Sequence, residues 1–80
     1  MGKIHQFGNV IVRVYANDHL PPHFHVLTPD AEVLVEIATF RILAGSLPGK
    51  VEREALTWAA ENHAAIAAEW NRTNDRFPIA

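Results

Sequence analysis

Three of the chain's five histidines fall within ten residues, in the string Asn17-Asp18-His19-Leu20-Pro21-Pro22-His23-Phe24-His25-Val26. Imidazole is the side chain whose unperturbed pKa lies nearest neutrality, and it is the commonest metal ligand. If the segment from His23 is extended, His23 and His25 share one face, a spacing from which two rings can hold one ion. His19 or Asp18, entering from the preceding loop, can complete the set. Mixed imidazole and carboxylate ligands suit zinc or another borderline divalent ion. The same groups fit a second chemistry. Asp18, His19, His23 and His25 can move protons, while Arg13 and Arg41, with Lys3, clamp phosphate for metal-independent RNA cleavage. A structural role also accounts for them, because a polar loop crossing the end of a sheet has many backbone groups to satisfy.

The elements that must position these residues divide into a β half at about residues 4–45 and a helix at about 48–70. A short tail, 71–80, follows, and the whole chain reads as a single domain, 1–80. Val10 to Tyr15 alternates, with Val10, Val12 and Val14 on one face and Ile11, Arg13 and Tyr15 on the other, the mark of a half-buried strand. A short flanking strand at Ile4 to Phe7 precedes it, ended by Gly8-Asn9. Pro21-Pro22 cannot continue a central strand, so the loop Ala16 to Pro22 leads into a strand at His23 to Leu27. Another strand, Glu32 to Ile37, follows the turn Thr28-Pro29-Asp30-Ala31, where proline suits the position that wants its fixed φ.

That turn sets a register. Leu27 faces Glu32, Val26 faces Val33, His25 faces Leu34, Phe24 faces Val35 and His23 faces Glu36. Apolar pairs then fall on one face and polar residues on the other. Glu36 becomes a candidate ligand or neutralising partner for His23, and the candidate metal set is His19, His23, His25 and Glu36. A fourth strand at Phe40 to Ala44 returns after Ala38-Thr39 and brings Arg41 near Glu36. From Pro48 the period changes. Val51, Ala55, Leu56, Ala59, His63, Ile66 and Trp70 form one helical stripe, and the many alanines favour a helix. His63 reads as a boundary residue with a satisfied ring, His5 as ordinary surface, and Trp58 and Trp70 as packing. The expected fold is α+β, a small antiparallel sheet of three to four strands covered on one face by a single long C-terminal helix.

Composition bounds what such a domain can be. Eighty residues make one small core. The absence of cysteine excludes disulfides and thiolate metal sites, and fits a reducing cytoplasm. A formal charge of −2 provides no general attraction for phosphate backbones. No apolar run reaches membrane-spanning length, and the first residues lack a signal-peptide layout.

The strings Val12-Arg13-Val14-Tyr15, Asn17-Asp18-His19 and Pro21-Pro22-His23-Phe24-His25-Val26, with Leu47-Pro48, Trp58 and Trp70, resemble a bacterial family known as domain of unknown function 4160. Members of that family are short stand-alone proteins, often encoded beside a protein of the family called domain of unknown function 2442. The resemblance implies a cytoplasmic component of a two-gene, toxin–antitoxin-like module that binds a small protein partner encoded nearby. It implies no activity that can be carried over to particular residues. Members usually have a polar turn between the third and fourth strands, where this chain has Ile37-Ala38-Thr39-Phe40. For partner binding, Ile11, Tyr15, Leu34 and Leu43 project from the face that carries His23 and His25, an apolar patch with a polar rim.

Overall fold

Alternating valines organise the sheet in the computed structural model, which describes residues 3–16 and 18–74. Asn17, the side chain of Lys3 and the tail beyond Asn74 lie outside the described residues. Five strands, rather than three to four, pair antiparallel in chain order: β1 (Lys3–Phe7), β2 (Val10–Arg13), β3 (His23–Leu27), β4 (Glu32–Glu36) and β5 (Ile42–Gly45). Each flanking segment adds a full edge strand, which accounts for the larger sheet. Gly8, at φ 58°, turns β1 into β2, and this left-handed conformation is one that glycine adopts without strain.

The β3–β4 register is the one that turn and pattern imply, from Leu27 opposite Glu32 to His23 opposite Glu36. Thr28 holds the connecting turn, its Oγ1 accepting from the backbone N–H groups of Asp30 and Ala31. Alternation puts Val12, Val14, Phe24, Val26, Val33 and Val35 in the core, each at most 1% exposed. The last strand starts later than its apolar run suggests, at Ile42 instead of Phe40. Phe40 adopts φ 61° and donates its N–H to the Glu36 carbonyl, closing a tight turn, while its ring meets Phe24 and His63 edge-on. Gly45, at φ 80°, ends β5 so close to Glu32 that a Cβ would collide with the Glu32 carbonyl oxygen.

The C-terminal helix is two helices rather than one, α1 (Gly49–Glu61) and α2 (His63–Thr73). Asn62 separates them with φ −124° and ψ 27°. Its side-chain amide donates to the Trp58 carbonyl at 2.9 Å, a local bond that competes with regular helix geometry. Ala55 and Ala59 of α1 and Ile66 and Trp70 of α2 close the core against the valine face. Two smaller expectations resolve here as well. His63 is exposed and bonds the Ile37 carbonyl at 2.9 Å. His5 is not plain surface: its ring stacks on Trp58 at 4.4 Å and 9°.

Candidate metal centre

Pleating sends His23 and His25 to the face opposite Phe24 and Val26, yet neither ring is open to solvent. His23 is 0% exposed and His25 8%. The connection between β2 and β3 covers them and lowers Asp18 onto both rings. Asp18 Oδ2 lies 2.9 Å from His25 Nε2 and 3.0 Å from His23 Nε2. These three ligand atoms all lie within 4.8 Å of one another.

The far side of each ring is already committed. His23 Nδ1 lies 2.8 Å from the Pro21 carbonyl oxygen, which only accepts, so Nδ1 carries the proton. His25 Nδ1 lies 2.7 Å from Glu32 Oε2. This is the outer-shell pattern of metal-binding histidines, in which a carbonyl or carboxylate fixes one ring nitrogen and directs the other inward. Tyr15 abuts the His25 ring edge-on at 4.6 Å, and His23 lies 5.8 Å from the ring of Trp70.

Positive charge is needed where these groups meet. A neutral His25 has one N–H for two carboxylates, and a neutral His23 turns an Nε2 lone pair toward Asp18. Protons or a metal ion can supply the charge. His23 Nε2 is the atom that bears on the choice. It is buried and, despite lying 3.0 Å from Asp18 Oδ2, makes no aligned hydrogen bond. A proton there would form an ion pair with Asp18 without a well-aligned hydrogen bond. A metal ion has no requirement for a collinear N–H. Its ligand atoms stand about 3.0–3.4 Å apart for bonds near 2.1 Å in octahedral or tetrahedral geometry, and both measured edges lie near that range.

Burial alone would raise the Asp18 carboxyl pKa, but it is outweighed by the His25 hydrogen bond, the His19 backbone N–H and the fields of His23 and His25. The net shift is downward from 3.8, so Asp18 is an anion at neutral pH. Because the folded value is depressed, the associated stability is present above the ordinary carboxylate range and lost as pH falls through the folded value.

The other candidates from the sequence lie in different positions. His19 caps the outer carboxylate oxygen: its Nδ1 lies 3.0 Å from Asp18 Oδ1 and its side chain is 70% exposed. Glu36 is opposite His23 in register, but its Oε1 accepts from Thr39 Oγ1 at 2.7 Å and lies 3.6 Å from Arg41 Nε. Its carboxylate is engaged by its own turn and stands outside the three-residue cluster. Arg13 pairs with His25 across β2 and β3, on the same face.

Two contributors escaped sequence reasoning. Glu32 is opposite Leu27 and reaches His25 along the diagonal, within range for a long side chain. Asn74, at the end of α2, is 4% exposed and fastens the covering loop. Its Oδ1 accepts from the Asp18 N–H at 2.8 Å, while Nδ2 donates to the Tyr15 carbonyl at 3.0 Å. Nothing local in the sequence marks Asn74, because its partners are more than fifty residues away. Asn74→Ala should lower unfolding free energy by about 1–3 kcal/mol, the cost of leaving buried partners unpaired, as read from urea denaturation.

Fold and cluster define a small α+β domain with a two-histidine, one-carboxylate centre beneath a loop. The chain belongs to the family described as Domain of unknown function (DUF4160), whose model matches residues 9–71. No curated protein and no solved structure matches the chain. Among the described residues no helix is long and apolar enough to cross a membrane.

Proposed function

We propose that this domain binds a divalent metal ion through Asp18 Oδ2, His23 Nε2 and His25 Nε2. The observation that supports this reading best is the buried His23 Nε2, aimed at a carboxylate and lacking a hydrogen bond. Two nitrogens and one oxygen suit a zinc-like ion, including iron, cobalt or nickel. Pro21 and Glu32 orient the ligand rings, and the exposed His19 holds the outer Asp18 oxygen. Three protein ligands leave at least one coordination position for water or another ligand. Protein purified without chelator should contain about one equivalent of such a metal per chain by elemental analysis. The His23→Ala, His25→Ala double variant should contain none. Metal-free wild-type protein that takes up no added divalent ion would contradict the reading.

A second reading, the partner-binding half of a two-gene module, draws on the open sheet face. Tyr15 is 37% exposed and Leu20 48%, both within the connection that covers the histidines. Co-purification with the product of an adjacent gene supports it, and separate elution at micromolar concentration counts against it.

A further inference from the structure

Six residues of α1 lie beside β1 rather than in the core: Lys50, Arg53, Glu54, Thr57, Trp58 and Glu61. With His5 and Phe7 they line an open depression of about 630 Å³, on the side of the molecule where β1 forms the edge of the sheet. Their spacing makes one continuous stripe along the helix, about 16 Å long at 1.5 Å per residue. Trp58 is half-buried, with one ring face on His5, and the other five are exposed. Among the described residues none of Lys50, Arg53, Glu54 and Glu61 forms an ion pair.

The stripe is complementary to its own reverse. Turned end for end about its midpoint, between Ala55 and Leu56, it sets Lys50 opposite Glu61, Arg53 opposite Trp58 and Glu54 opposite Thr57. Each pairing is attractive: an ammonium with a carboxylate, a guanidinium with an indole ring, and a hydroxyl donating to a carboxylate. A two-fold axis makes every such contact twice, which is the requirement for an isologous interface. The four charges also cancel, so nothing favours a strongly acidic or basic partner over a second copy. We propose that this face pairs with itself, joining two chains through antiparallel α1 helices across a two-fold axis. One helix face is a small interface, so the association is expected to be micromolar and reversible. The Asp18, His23 and His25 cluster lies on the other face of the sheet, so the pairing leaves it untouched and needs no metal.

Sedimentation equilibrium at protein concentrations up to about 1 mM tests the pairing, and the wild type should dimerise within that range. Lys50→Glu and Glu61→Lys should each weaken dimerisation about tenfold or more, because each homodimer then holds two like-charge pairs. Mixed in equal amounts, the two variants should pair with each other about as well as the wild type pairs with itself. Both contacts again join opposite charges in that mixed dimer. Within one chain residues 50 and 61 stand about 16 Å apart along the helix, so such rescue cannot arise inside a monomer. Both positions are exposed, and circular dichroism verifies that each variant is folded. A wild type that stays monomeric throughout overturns the proposal. So does a dimer that the single reversals leave unchanged, or one that the mixture fails to restore.

Discussion

Asp18→Asn is expected to reduce divalent-metal affinity roughly 100-fold or more while leaving the metal-free protein folded. The magnitude is a lower bound, because removing even an outer-shell partner of a metal ligand typically costs 10–100-fold. Asp18 holds the centre of the cluster: its Oδ2 is the atom that both Nε2 groups approach. Asparagine keeps the backbone N–H that bonds Asn74 and an oxygen that can accept from the His19 N–H. What disappears is the negative charge that offsets part of the ion's own. Titration of chelator-stripped protein with zinc or cobalt measures the change, and circular dichroism verifies the fold. A variant with wild-type affinity would place the metal ligands elsewhere.

Trp70→Ala should have the largest effect on stability. Trp70 is the largest fully buried side chain of the core. Truncating such an aromatic typically costs about 3–5 kcal/mol. An 80-residue domain has only about 4–12 kcal/mol in total, so the variant is expected to be partly or wholly unfolded at 25 °C. The damage extends to the site, because Asn74 caps α2 through the Trp70 carbonyl and also holds the Asp18 loop. Trp58→Ala should be milder, since Trp58 is only partly buried and stacks on His5. Urea unfolding followed by far-ultraviolet circular dichroism compares the two. Equal midpoints would contradict the assignment of Trp70 as the core anchor.

What could be read from the sequence depended on how local its cause was. The β3–β4 register was legible because alternation in both strands and the Thr28–Ala31 turn point to one pairing. The helix break was not, because the alanine-rich period continues through Asn62, and the bond to the Trp58 carbonyl is visible only in three dimensions. At the site, the three central residues belong to the histidine segment itself, so their types and spacing stood in plain view. The choice of accompanying acid did not. Direct cross-strand pairing favours Glu36, but side chains of that length also reach diagonally. Thr39 and Arg41 occupy Glu36, and Glu32 meets His25 instead. Asn74 illustrates the remaining gap, a clamp whose two loop partners lie 59 and 56 residues away in sequence.

X-ray absorption at the metal edge of zinc-loaded protein tests the central claim most directly. The expected spectrum contains two imidazole nitrogens at about 2.0–2.1 Å and a carboxylate oxygen at about 2.0–2.2 Å. One imidazole signal should vanish in His25→Ala. A spectrum with no imidazole scattering, or one identical in the variant, would contradict a metal centre built on Asp18, His23 and His25.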